Sequence, residues 1–379
     1  MYRRRRTVDS PQGREIVVEG RRLLNFCSND YLGLAADPRI VARLAQAAGR
    51  WGVGSGASHL VCGHTMAHQE LEAALAKFMG RPRALLFASG YAANMGAIGA
   101  LLGPGDRVFE DRLNHASLLD GGWISRADFA WYRHRDVADL AHKLADELAG
   151  ADRAPGRTLV VSDGTFSMDG DLCPLPELAA LARARGAWLM IDEAHGLGVH
   201  GRGGRGLVDP ERYTTGDVQV LVGTLGKAFG TFGAFVAGEE DLIELLIQRA
   251  RNYIFTTAIP AALAEATLTS LCIVEAEEWR RDRLRELVGR FRAGVAHLGL
   301  EASPSETPIQ PLIVGDPGRA VAISAALEEA GMLVTAIRPP TVPVGTSRLR
   351  VTFTAAHEPQ DVDRLLNALG DALRAVPAE

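Results

Sequence analysis

The sequence predicts an α/β fold: a large, mostly parallel-sheet domain followed by a smaller α+β C-terminal domain. Three observations carry that prediction. From about Asn29 to Ala250, short apolar runs alternate with helical stripes. Short buried strands separated by helices imply crossover connections and a sheet covered on both faces. Beyond about residue 270 the pattern changes to long helices followed by strand-like segments. The chain has 379 residues, more than one ordinary core, so two domains are the natural division.

Residues 1–28 read as an arm with a short hairpin, Glu15-Ile-Val-Val-Glu and Arg22-Leu-Leu-Asn-Phe on either side of Gly20. Residues 29–270 make the large domain. Its candidate strands are Ala84–Ala88, Asp106–Glu110, Thr158–Ser162, Trp188–Asp192, Val218–Val222 and Ala234–Ala237, with helical segments such as Ala92–Leu102 and Leu175–Arg185 between them. A long helical region including Ala261–Glu278 follows. Residues 271–379 make the small domain. There the helix Arg281–Leu298 is amphipathic, with Leu284, Leu287, Val288, Phe291, Val295 and Leu298 on one side. Strands Ile309–Val314, Leu333–Ala336 and Leu349–Thr354 and helices Arg319–Ala330 and Pro359–Ala375 follow.

A 47% hydrophobic and 23% charged composition is ordinary for a soluble globular protein. The net charge of −5 gives no global case for nucleic-acid binding. The basic run Arg3–Arg6 reads as a solvated tail or an anion contact. Cys27, Cys62, Cys173 and Cys272 are scattered without metal-ligand spacing, and are expected to be reduced core thiols. No signal-peptide pattern and no apolar stretch near 18 residues is seen, so a cytoplasmic protein is expected.

Among 41 cationic residues only Lys77, Lys143 and Lys227 are lysines. Arginine stays protonated, whereas a buried lysine can lose its proton and act as an amine nucleophile. Lys77 and Lys143 lie off apolar helical stripes and have ordinary surface explanations. Lys227 sits in Gly223-Thr-Leu-Gly-Lys-Ala-Phe-Gly230, a glycine-rich turn directly after an apolar run.

In an open α/β sheet, ligands bind beyond the carboxyl ends of the strands. Ser89-Gly90-Tyr91 follows one candidate strand and opens a helix, a place suited to a phosphate or to a plain helix cap. Asp192 ends another strand, and a carboxylate buried there needs a cationic partner to stay ionised. His195 lies three residues on. A carboxylate for a ring nitrogen, a lysine for an aldehyde and a helix N-terminus for a phosphate, in this order, fit pyridoxal 5'-phosphate (PLP).

The chain resembles the α-oxoamine synthase family, PLP enzymes of the aspartate-aminotransferase-like fold type I. The motifs are Asn25-Phe-Cys-Ser-Asn-Asp-Tyr-Leu-Gly-Leu34, Gly52-Val-Gly-Ser-Gly56, Asn114-His-Ala-Ser-Leu118, Phe166-Ser-Met-Asp-Gly-Asp171, Asp192-Glu-Ala-His-Gly196 and Thr224-Leu-Gly-Lys227. The resemblance implies that His115 stacks on the cofactor ring and that Ser167 and His195 hydrogen-bond its phenolic oxygen. Asp192 would pair its ring nitrogen and Lys227 would carry it as a Schiff base. Ser89, Gly90, Tyr91 and Thr224 would surround it, with Thr257 reaching its phosphate from the other subunit of a homodimer. Arg338 and Asn29 would serve the amino-acid substrate, and Arg3 the far carboxylate of the acyl chain. The stretches Ile309–Asp316 and Thr335–Pro343 resemble the branch that condenses L-alanine with a pimeloyl thioester, on coenzyme A or acyl carrier protein, with loss of CO2. The alternative is a glycine C-acetyltransferase or another branch of the family.

Overall fold

A computed structural model describes residues 5–149 and 156–377 of the chain. Its elements run β1 (Glu15–Val18), β2 (Arg21–Asn25), α1 (Pro38–Trp51), α2 (Met66–Met79), β3 (Arg83–Phe87), α3 (Gly90–Leu101), β4 (Arg107–Asp111), α4 (Ala116–Ser125), β5 (Asp128–Tyr132) and α5 (Val137–Ala149). Then come β6 (Thr158–Asp163), α6 (Leu175–Ala184), β7 (Trp188–Asp192), β8 (Val220–Thr224), β9 (Ala234–Gly238), α7 (Glu240–Arg249), α8 (Arg251–Ile254) and α9 (Ala261–Ala276). The chain closes with α10 (Trp279–His297), β10 (Ile309–Gly315), α11 (Pro317–Glu329), β11 (Met332–Leu333), β12 (Thr335–Ile337), β13 (Ser347–Thr352) and α12 (Pro359–Ala375). These elements fall into two compact units.

The larger unit holds Pro38–Phe166 and Leu172–Ala276. Its seven strands lie in the order β3-β9-β8-β7-β6-β4-β5. β9 runs antiparallel to both neighbours, and the other neighbouring pairs are parallel. Strand residues such as Leu85, Val161, Met190, Val222 and Val236 share one core with Ala97 and Ile98 of α3. Burial on both faces is why these strands read as unbroken apolar runs rather than alternating ones. The six strands expected here lie within two residues of their predicted places. β8 is displaced to Val220–Thr224, which puts Thr224 on the strand itself rather than beyond it. β5 has no counterpart in the sequence reading. It is an edge strand with mixed burial, and no turn residue sets it off from α4.

The smaller unit gathers the segment ending at Asp37, Ser167–Asp171 and Glu277–Glu379. β1 and β2 form the expected hairpin, with Gly20 at φ 80° in its turn. β2 also pairs parallel with β11, which ties the N-terminal segment to the C-terminal part of the chain. A second sheet has the antiparallel order β10-β13-β12. The segment Leu333–Ala336, predicted as one strand, is two: β11 and β12 belong to different sheets and part at Val334. Ser167–Asp171 joins this unit through β13: Arg350 Nε donates to the Ser167 carbonyl at 2.7 Å, and Arg348 pairs with Asp169. In α10 the predicted face is buried at Leu284, Leu287, Val288, Phe291 and Val295, while Leu298 falls just past the helix as its C-cap and is only half-buried. All four cysteines are free, as expected, but Cys62 and Cys272 are exposed rather than in the core.

Candidate active site

The carboxyl ends of the parallel strands in the larger unit converge on a cavity of about 200 Å3. β6 and β7 end there in Asp163 and Asp192, β8 ends in Thr224, and the helices after β3 and β4 open there at Gly90 and His115. Strand ends supply fixed positions, and the turns after them supply side chains free to face a ligand.

Lys227 stands on the turn between β8 and β9. The Leu225 amide bonds the Gly233 carbonyl at 2.9 Å, Thr231 closes back on Leu225 at 2.9 Å, and Gly230 closes on Lys227 at 2.9 Å. This folded turn holds the lysine stem while the amine reaches the cavity, with Nζ 3.0 Å from His195 Nε2. His195 is buried on the loop after β7.

Asp192 is 3% exposed. Its Oδ1 accepts from the Ala194 amide at 2.8 Å and its Oδ2 from Asn94 Nδ2 at 2.7 Å. Two donors fix the plane of the carboxylate. Asp163 brings a second buried carboxylate, which accepts from the His115 amide at 2.6 Å. Burial, then the nearby Asp192 charge, pushes the Asp163 carboxyl well above the usual carboxylate range.

Ser89 caps α3, its Oγ accepting from the Ala92 amide at 3.1 Å. The Gly90 and Tyr91 amides lie in the first turn, where no helix carbonyl reaches them, at the positive end of the helix dipole. A Cβ on Gly90 would stand 4.0 Å from the Thr224 side chain, so glycine leaves the space between the two open. Tyr91 is exposed and its hydroxyl meets Asp120. His115 caps α4, with Nδ1 facing Ser117 Oγ at 2.7 Å and accepting from the Ser117 amide at 3.2 Å. Desolvation of the ring lowers its pKa, against the opposing pull of Asp192.

Eight of the predicted residues thus lie around one place: Ser89, Gly90, Tyr91, His115, Asp192, His195, Thr224 and Lys227. All but Ser89 line the cavity itself. Thr257 is exposed and bridges Ser58 elsewhere in the same unit. Asn29, Ser167 and Arg338 belong to the smaller unit. Asn29 Oδ1 accepts from Arg350 at 3.2 Å. The Arg338 guanidinium, half-buried after β12, has no ion-pair or hydrogen-bond partner among the described residues. Arg3 lies outside the described residues. Asn94, Ser117 and Asp163 line the cavity without having been singled out. The available signal was a polar residue on the buried face of an Ala- and Gly-rich helix, at Asn94.

The donor set suits PLP. A buried carboxylate held by two N–H groups faces the same cavity as a lysine amine, a helix N-terminus and an imidazole, and so matches a ring nitrogen, an aldehyde and a phosphate in turn.

Comparison with known proteins agrees. The family model of class I and II aminotransferases matches residues 21–369. An 8-amino-7-oxononanoate synthase of Pseudomonas putida (strain KT2440) is 58% identical over 371 residues, 98% of this chain and 93% of that protein. One of Nitrosococcus oceani is 59% identical over 373 residues, 98% of this chain and 97% of that one. Among solved structures, serine palmitoyltransferase of Sphingomonas wittichii superposes with a TM-score of 0.92 at 32% identity, covering 98% of this chain and 92% of that one. The structure of 8-amino-7-oxononanoate synthase from Francisella tularensis gives 0.79 at 29%, covering 93% and 98%. A related structure described as SPT with PLP internal aldimine gives 0.92 at 31%, covering 98% of this chain and 93% of that one.

Proposed function

This chain belongs to the class I and II aminotransferase family, among the PLP-dependent 8-amino-7-oxononanoate synthases, and from that premise we propose that it joins L-alanine to a pimeloyl thioester in biotin biosynthesis. The products are 8-amino-7-oxononanoate, CO2 and free thiol. The observation that carries this reading is the convergence of Lys227, His195 and Asp192 on one cavity beside the N-terminus of α3. The relatives' shared name favours alanine and a pimeloyl donor over glycine with an acetyl donor.

On this reading Lys227 holds the cofactor's aldehyde carbon and Asp192 its ring nitrogen. The α3 terminus at Ser89–Tyr91 and Thr224 take the phosphate, joined by Thr257 of a second subunit in a homodimer. His115 covers the ring face, and Ser167 and His195 take its phenolic oxygen. The bound PLP would draw electrons from the alanine Cα, so that first its proton and later its carboxylate can leave. Arg338 holds the alanine carboxylate and Asn29 helps at the substrate site; a half-buried guanidinium with no partner among the described residues suits the first task. Lys227 Nζ, once free, takes the Cα proton and later returns one. A new C–C bond forms between Cα and the thioester carbonyl carbon while the thiol leaves. CO2 departs next, and His195 helps polarise the new ketone. Arg3 meets the far carboxylate of the acyl chain. No helix among the described residues is long and apolar enough to cross a membrane, and a cytoplasmic enzyme fits this reading.

The test is a substrate panel. Alanine, glycine or serine is mixed with pimeloyl-, acetyl- or succinyl-CoA and thiol release is followed. Alanine with pimeloyl-CoA should be fastest. A preference for glycine with acetyl-CoA would move the protein to another branch.

A further inference from the structure

Asn94 and Ser117 lie between two of the predicted site residues and have no role in the reading above. Asn94 is 1% exposed on α3, and Ser117 is 1% exposed in the first turn of α4. Asn94 Nδ2 lies 2.9 Å from Ser117 Oγ and 2.7 Å from Asp192 Oδ2. The amide can face only one way. Turned over, its carbonyl oxygen would meet the Asp192 carboxylate, acceptor against acceptor. Both hydrogens of Nδ2 are therefore used, one on Ser117 and one on Asp192. The Asn94 carbonyl oxygen is left buried without a partner. A buried, unpartnered acceptor is unfavourable, so this orientation is imposed by Asp192 rather than by Asn94's own needs.

The direction of the next bond follows. Having accepted from Asn94, the Ser117 hydroxyl has its own hydrogen to donate, and His115 Nδ1 stands 2.7 Å away. The same nitrogen accepts from the Ser117 amide. A nitrogen that accepts twice carries no proton. His115 is then the neutral tautomer with its hydrogen on Nε2.

We propose that Asn94 and Ser117 are positioning residues that form a buried relay from Asp192 to His115, holding Asp192 as an oriented anion and His115 as the neutral Nε2–H tautomer. The relay links the residue assigned to the ring nitrogen with the one assigned to the ring face. It adds local bonds to a histidine that burial and Lys227 already push toward the neutral form, against Asp192 and Asp120, which favour its protonation. The catalytic consequence rests on the PLP reading; the tautomer does not.

The experiment therefore has two arms. In the first, 15N-imidazole spectra of the full-length enzyme, with and without PLP, report the His115 tautomer, assigned by loss of its signals in His115→Asn. Wild type should show a protonated Nε2 and a bare Nδ1 near pH 7. Ser117→Ala should shift the signals toward a mixture of tautomers, and Ser117→Thr, which keeps the hydroxyl, should restore them. A wild-type His115 protonated on Nδ1, or a Ser117→Ala spectrum identical to wild type, would overturn the relay. In the second arm, exchange of the alanine Cα hydrogen in D2O is followed for PLP-loaded Asn94→Ala and Ser117→Ala. Asn94→Ala should slow it about 10- to 100-fold, the scale known for outer partners that orient metal ligands. Exchange within twofold of wild type in both variants would remove the catalytic consequence. Absence of any exchange in wild type would instead count against the PLP reading and leave the first arm to decide the relay.

Discussion

Lys227 and Asp192 divide the chemistry between them, and their substitutions should fail differently. Lys227→Ala should lower turnover by about 10²–10⁴-fold, the usual contribution of a positioned base, while PLP still binds noncovalently. Asp192→Asn keeps the shape but loses the charge, and it turns one of the two oxygens that accept from the Ala194 amide and Asn94 Nδ2 into a donor. Its kcat should fall by about 10²–10³-fold with PLP still retained. Stopped-flow spectra with alanine check both, and near-normal turnover in Asp192→Asn would contradict its assigned role. These residues were legible because their types are scarce and their places are distinctive: one of three lysines in a glycine-rich turn, and an acid ending an apolar run. Asn94 and Ser117 were not, because each sits in an ordinary helical segment and gains meaning only from what lies across the cavity. Thr257, Asn29 and Ser167 were named through motif resemblance, since nothing in their local sequence draws attention to them.

At the scale of elements, the relay exists because α3 and α4 approach closely. A Cβ at Gly121 would stand 2.8 Å from Ile98 Cδ1 of α3, and one at Gly122 2.5 Å from Glu110 Oε1 and 2.6 Å from Phe129 Cδ2. Gly122→Ala should therefore force α4 outward, at a cost of about 1–3 kcal/mol. A thermal melt beside an exposed-helix control such as Gly289→Ala, where nothing lies within 4 Å, reads that difference. The turn His59–Gly63 and the start of α2 gather three imidazoles: His59 Nδ1 is 2.9 Å from His64 Nδ1, and His59 stacks on Tyr253 at 5.0 Å. Burial, then the neighbouring imidazoles His68 and His64, pulls His59 down to about 3, and burial also lowers His64 and His68. A folded pKa below the unfolded value means stability that is full above about pH 6.5 and is lost as pH falls toward 3. Glu72, raised by burial to about 7, acts the opposite way between pH 7 and 4.5. Comparing the wild type with His59→Phe isolates the histidine: the variant's melting temperature should fall less between pH 6.5 and 4. Equal slopes would show that His59 is not held neutral by the fold. The strands of the large sheet were legible as apolar runs, while edge strand β5 and the division of β11 from β12 depend on partners distant in sequence.

At the scale of the whole molecule, the alternation of strand and helix gave the α/β class, but the grouping of the N-terminal segment with residues 277–379 rests on the parallel β2–β11 pair and was invisible to a linear reading. Ligand linkage acts on the whole fold too. PLP at a hundred times its Kd should stabilise the protein by about 2.7 kcal/mol, seen as a rise in melting temperature that Lys227→Ala reduces. The central claim, that Lys227 anchors the cofactor, has a direct test because the chain offers only Lys77, Lys143 and Lys227 as amine side chains. Borohydride reduction of the PLP-loaded enzyme, followed by proteolysis and mass mapping, should find the cofactor mass on the peptide containing Lys227 alone. Its appearance on a Lys77 or Lys143 peptide, or on no lysine peptide, would contradict the account.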